Sequence, residues 1–397
     1  MTKKHSGKKA HGEYWAFPNM TEPVEIALYY GFTPISPLKI DKQDIDRAKS
    51  LGIPEREKNE NRLEILPAEL FALLRKDFSE KLPINLPIMT IRTRTYEGKR
   101  DRKKSEYCLD IIGTTRSIAD ATVIRTAYQI AEEEGFKDLT IEVNSLGDRE
   151  SFARFVRELG VYFRKHMSEL HPDCRHILKK GPLEAITCNH EKCMPIKDSA
   201  PHPMNYLSEP SRTHFKEVLE FLEISGLPYT INNNLIDNPE SAAHTLFTIS
   251  GFESGSKEPV EVVRGTRWAN IAKKMGIKKD VTGVSAVVCI KNISVPKAIK
   301  QIKKPNFYLI QMGEEAKLRS LGVIEILRKA KVPVYHSLTK DKFAAQLGSA
   351  ENLNVPYVLI VGQKESLENT VLVRDMGTRS QDTIRTDKIA DHVKKLI

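Results

Sequence analysis

Residues 305–397 constrain the fold most. NFYLIQMG reads as a strand, EEAKLRSLGVIEILRKAK as a helix and VPVYHS as a strand. KDKFAAQLGSAENLN then reads as a helix and VPYVLIVG as a strand. TVLVRDM adds a strand after a turn, and TDKIADHVKKL a final helix. Short apolar runs alternating with helical periods call for a compact α/β domain, because each helix must bury its apolar stripe against the sheet. The lysine-rich, proline-bracketed SVPKAIKQIKKP marks its boundary with the rest of the chain.

Upstream the pattern is mixed. EPVEIALYYGF has helical spacing and ends at Gly31, a favourable C-cap. TPISPL reads as an extended edge segment, since Pro34 and Pro37 cannot donate to a ladder. DKQDIDRAKSLGIPEREKNENR lacks a sustained apolar period and reads as a surface excursion. Helices are predicted at LPAELFALLRKDF, ADATVIRTAYQIAEEEGF, DRESFARFVRELGVYFRKHMSEL and EPSRTHFKEVLEFLEISGL, and a short one at RWANIAKKMG. Strands are predicted at LPIMTIRTRTY, SEYCLDIIGT, LTIEVNSLG and GVSAVVCIKNI, with two more flanking residues 232–243. The expected division is a disordered basic tail over 1–12, a core over 13–295 and the α/β domain over 305–397.

The chain has 397 residues, 40% of them hydrophobic, and a net charge of +10. No apolar run approaches the ~20 residues that span a bilayer. MTKKHSGKKAHG lacks the apolar centre of a signal peptide, so a cytoplasmic protein is expected, with no membrane partner. The basic excess favours a polyanionic partner, nucleic acid first, with a merely soluble basic surface as the plain alternative. Five cysteines without an export signal argue against a disulfide framework. His171, Cys174, Cys188 and Cys193 form H-x2-C…C-x4-C, a spacing that suits tetrahedral zinc; cysteines without metal are the other reading. Arg92, Arg94, Lys99, Arg100, Arg102, Lys103 and Lys104 crowd one strand–loop–strand segment, read either as a phosphate-contacting loop or as a solvated hairpin tip.

The run GEEAKLRSLGVIEILRKAKVPV, followed by KDKFAAQLGSAENLNVPYVLIVGQKESLENTVLVRDMGTRSQDTI, resembles the anticodon-binding domain of class II aminoacyl-tRNA synthetases, the histidyl enzymes most closely. IEVNSLGDRESFARFVREL, HPDCRHILKKGPLEAITC and ALYYGFTPISPL resemble further segments of the same family, in the same order. The resemblance implies an antiparallel class II sheet core with helices, then a smaller α/β anticodon-binding domain. It also implies a homodimer and tRNA as partner, with Gln346 and Arg374 on the RNA side of that domain. The basic loop would reach the acceptor end of the tRNA.

The catalytic positions do not follow the family. Arg92 matches the arginine of the second motif, but Arg94 stands where a glutamate is expected. The arginine closing the third motif is replaced by Ile290 or Lys291, and lysine lacks the planar fork for bidentate phosphate contacts. Pro67 and Arg75 are kept in the run resembling the histidine pocket, while Asp237 occupies the place of the catalytic arginine. Ser241, Ala242 and Ala243 fall where tyrosines recognise the imidazole. Glu240 and His244 flank this remnant, and Arg267 and Trp268 are kept beyond it. A carboxylate facing phosphate inverts the charge the reaction needs. The pattern implies a paralogue that does not activate histidine and binds tRNA or related RNA. It would act beside a true histidyl-tRNA synthetase or a biosynthetic enzyme. An active histidine–tRNA ligase, using ATP and Mg²⁺, is the alternative.

Overall fold

The computed structural model describes residues 14–15, 20–51, 67–78, 87–94, 104–179, 181–186, 190–237, 242–269, 271–277, 281–291, 302–337 and 339–397. The chain divides into two units: Ile35–Asn292, and Met1–Pro34 together with Ile293–Ile397.

The longer strands of the first unit are β1 (Ile88–Arg94), β2 (Lys104–Ile112), β3 (Lys137–Ser145), β4 (Tyr229–Ile231), β5 (Thr245–Phe252), β6 (Val260–Trp268) and β7 (Gly283–Lys291). They lie in the order β1-β2-β7-β6-β5-β3-β4. Every pairing is antiparallel except β3 with β4. Alternation sends Ile91, Leu109, Ile111, Val284, Ala286, Val288, Val263, Phe247 and Ile249 to one face, all buried. The helices Ser117–Glu133 and Glu209–Ile224 are amphipathic, and the first packs on β7 and β6 from that side. Gly265 is needed where β6 crosses β5: a Cβ there would stand 2.0 Å from the Phe247 ring.

Asp148 and Ser208 tie the starts of two helices together. The Asp148 carboxylate caps Arg149–Lys165 by accepting from the Ser151 amide at 2.8 Å. It also accepts from the Ser208 hydroxyl, whose residue caps Glu209–Ile224. The segment expected as a surface excursion contains a helix instead, Lys42–Ser50. Its start is fixed by a capping box between Asp41 and Asp44, and the Arg75 fork holds the buried Asp44.

In the second unit, β8 (Phe307–Gln311), β9 (Val334–His336), β10 (Tyr357–Val361), β11 (Thr370–Asp375) and β12 (Gln381–Arg385) form a sheet ordered β9-β8-β10-β11-β12. Its first three strands are parallel and the last two antiparallel. The predicted helices are Glu314–Lys329, Phe343–Asn352 and Ile389–Lys394. Strand β12 and the short helix Gln363–Glu368 carry too few apolar residues to be read from periodicity.

Candidate functional site

Residues directly opposite in a sheet share a face, so register identifies what the other face presents. Arg92, Cys108, Val287, Arg264, Thr248 and Glu142 line up across β1, β2, β7, β6, β5 and β3. A neighbouring row runs Thr90, Asp110, Ser285 and Thr266, and Arg94 stands opposite Glu106. This face is polar where the first is apolar. The helix Pro67–Phe78 lies over one end of it, with Leu70, Phe71, Leu73 and Leu74 packed in one cluster with Trp268 and Ile112.

The same helix delivers Glu69 between two arginines. Glu69 accepts from Arg94 Nε at 2.8 Å and Nη2 at 3.0 Å, a fork, and from Arg92 Nη2 at 3.0 Å. Arg92 also pairs with Asp110, and Arg94 Nη1 with Glu106 at 2.8 Å. Trp268 Nε1 donates to Ser285, whose hydroxyl donates to Asp110 at 2.6 Å. All members of this network are buried. Burial pushes the Glu69 carboxyl up, but Arg94 and Arg92 outweigh it and hold the group below the usual carboxylate range. Cys108, between the arginines, is driven up to about 12 by burial, so it supplies no thiolate.

Carboxylates outnumber guanidiniums here: Glu69, Asp110 and Glu106 face Arg92 and Arg94. The rest of the face repeats the pattern. Arg264 is forked by Glu261 at 2.7 and 2.8 Å, and Glu142 accepts from Asn232 at 2.8 Å. Asn144 spends its amide on the Leu235 carbonyl. Every arginine on this face among the described residues is held by at least one carboxylate. The guanidiniums of Arg92, Arg94 and Arg264 thus meet carboxylates of the same chain. Asp237, half-buried in the loop after β4, is a further carboxylate; Glu240 and Ser241 lie outside the described residues.

Arg267 and His244 belong elsewhere. Arg267, expected as a pocket remnant, points to the apolar face, because β6 alternates and Thr266 and Trp268 take the polar side. It is 2% exposed and fully used: Nε and Nη2 fork Asp120, Nη1 donates to the Thr114 carbonyl, and Nη2 to the Arg116 carbonyl. His214 from the 209–224 helix approaches Asp120 at 3.2 Å, and its ring lies 5.2 Å from that of His244. Burial and the neighbouring His214 and Arg267 pull the His244 pKa down to about 4. Its backbone is left-handed, with φ 52.

His244 is therefore neutral when folded and gains protons when unfolded between its ordinary value of 6.5 and about 4. Its contribution is complete above pH 6.5 and is lost as pH falls through that window. The expected loss between pH 7 and pH 5 is about 2 kcal/mol. Urea unfolding of the wild type and of His244→Asn, whose side chain tolerates the left-handed backbone, measures it as the difference between the two pH dependences.

The remaining candidates scatter. Arg94, expected to touch RNA, is buried in the Glu69–Glu106 network. Gln346, expected on the RNA side, is 0% exposed and its amide is exchanged with the Gln311 backbone at 2.8 and 3.1 Å. Arg374 is half-buried on β11. Arg75 braces Asp44 and the Lys39 carbonyl, and Pro67 opens its helix. Lys99, Arg100, Arg102, Lys103 and Cys188 lie outside the described residues, as do the side chains of Lys104 and Lys291. Cys174 and Cys193 are buried in a cluster with Phe155, Phe163 and Leu170. The Cys193 sulfur accepts from the His171 amide at 3.4 Å, and the His171 ring stacks on His190. Among the described residues no group of three or more histidine, cysteine or acidic side chains is placed to hold a metal ion. No described helix is long and apolar enough to cross a membrane.

Comparison with known proteins agrees with this architecture. Residues 306–396 match the family model of the anticodon binding domain. The histidine–tRNA ligase of Dehalococcoides mccartyi is 27% identical over 309 residues, 76% of this chain and 72% of that protein. That of Halothermothrix orenii is 27% identical over 306 residues, with the same two shares. The solved apo histidyl-tRNA synthetase of S. aureus superposes with a TM-score of 0.51 at 19% identity, covering 93% of both chains, a likeness of fold. The chain has the class II aminoacyl-tRNA synthetase fold, is similar to histidyl-tRNA synthetases over most of its length, and carries an anticodon binding domain at 306–396.

Proposed function

We propose that this protein is a catalytically silent relative of histidyl-tRNA synthetase that binds tRNA or a related structured RNA in an accessory role. The observation that carries the reading is the spending of Arg92 and Arg94 on Glu69, Asp110 and Glu106. Adenylate formation needs cations free to meet charge developing on phosphate oxygens. Here the polar sheet face meets that charge with carboxylates, and Asp237 follows in the loop beyond. The anticodon binding domain and the net charge of +10 support RNA as the ligand. The relatives' name, histidine–tRNA ligase, supports the second reading, an active ligase whose cations come from elsewhere.

Binding of a structured tRNA, followed by fluorescence anisotropy at rising salt, tests the RNA claim. The expected result is a saturable isotherm whose log affinity falls linearly with log salt, by roughly 0.7–0.9 for each phosphate neutralised. No binding at low salt would sink it. Charge reversal of Arg100, Arg102 and Lys103 is expected to flatten that slope, and an unchanged slope would remove the loop from the interface.

A further inference from the structure

The C-terminal unit is not made of C-terminal residues alone. Of the Glu22–Tyr29 helix, every residue from Pro23 to Tyr29 is buried, and Tyr30 and Phe32 follow at 0% and 1% exposure. An α-helix that presents no exposed apolar stripe has its partner already. That partner includes the 314–329 helix. The Tyr30 hydroxyl donates to Glu325 Oε2 at 2.5 Å across 295 residues of sequence. Arg328 forks the same carboxylate, from Nε at 2.7 Å and Nη2 at 2.9 Å. Lys331 reaches Glu25 at 3.4 Å, and His336 of β9 donates from Nε2 to the Tyr30 carbonyl at 3.1 Å. Further toward the N-terminus, Tyr14–Trp15 pairs antiparallel with Ile302–Lys303. The two ends of the chain thus meet twice, through a strand pair and through a helix with a buried charged hub.

We infer that residues 20–32 are an integral element of the anticodon-binding unit, docked through the Tyr30–Glu325–Arg328 hub, and that RNA binding by this unit depends on that docking. The affinity half of this rests on the function proposed above. The docking half does not. Glu325 explains the dependence. It is 5% exposed and shared by Tyr30, Arg328 and, at 3.4 Å, Lys329, so losing the N-terminal contact takes one hydrogen-bond donor from a buried carboxylate in the 314–329 helix. That helix packs beside β8, the central strand of the unit's parallel set.

The test uses the full chain, with Tyr30→Phe, Glu325→Gln and the double variant. Hydrogen exchange is followed at 22–30, at 314–329 and, as control, at 117–133, with tRNA affinity measured alongside. Each single variant is expected to speed exchange about tenfold in both 22–30 and 314–329, the scale of one hydrogen bond to a charged group, leaving 117–133 unchanged. The double variant should be no worse than the more severe single one, because both act on the same contact. Tyr30→Phe keeps the ring and its packing, so it reports even if Glu325→Gln fails to fold. Loosening of 22–30 alone, with 314–329 protected as before, would overturn the inference, as would no change in either. If the wild type binds no RNA, the proposed function falls while the exchange result still decides the docking. If exchange couples as expected but affinity holds, the dependence of RNA binding on docking is refuted.

Discussion

Arg267→Met is expected to destabilise the protein by about 3–5 kcal/mol, the scale of removing one partner from a buried ion pair. The substitution leaves Asp120 at 0% exposure with its charge and only His214 beside it. It also releases the Thr114 and Arg116 carbonyls that the guanidinium ties together. Burial pushes the Asp120 carboxyl up, but Arg267 and His214 hold it well below the usual range. That stabilisation is present above the unfolded carboxylate pKa and is lost as pH falls through the folded one. The loss caused by Arg267→Met should therefore be full at pH 7 and shrink in acid. Urea midpoints at both pH values measure it. A cost under about 1 kcal/mol would mean that Arg267 is exposed or free, as a ligand-binding arginine would be.

The second large effect separates Arg94 from Glu69. Arg94→Met takes the guanidinium from Glu106, leaves Glu69 with Arg92 in a buried site, and should cost about 3–5 kcal/mol. Glu69→Gln removes the carboxylate in excess, leaving Arg92 with Asp110 and Arg94 with Glu106, and should cost about 1–2 kcal/mol. The ordering follows from which charges outnumber which. Equal costs would show that the network is not over-supplied with acid.

The sequence displays much of this, but not the pairings. Strand and helix positions follow from periodicity, since apolar residues recur at two- and 3.6-residue intervals. Asp237 stands in a run where the family resemblance implies an arginine. What sequence cannot supply is register. Arg92 and Arg94 read as phosphate and RNA contacts because they stand in a basic run; only the β1–β2 pairing brings Asp110 and Glu106 beside them, and only the 67–78 helix brings Glu69. Arg267 was legible in principle, because in an alternating strand it must face opposite to its neighbour Trp268. Gln346 offered no signal, since an amide spent on a distant backbone looks like any other glutamine. The 42–50 helix hid behind its polarity, although Asp41 and Asp44 hold the three-residue spacing of a capping box.

Histidine-dependent ATP–pyrophosphate exchange on the folded, full-length protein tests the central claim most directly. With histidine and Mg²⁺-ATP saturating, the expected result is exchange no faster than without histidine. Robust exchange that requires histidine would contradict the account: it would mean that the network around Arg92 and Arg94 opens to nucleotide, and that the protein is a ligase.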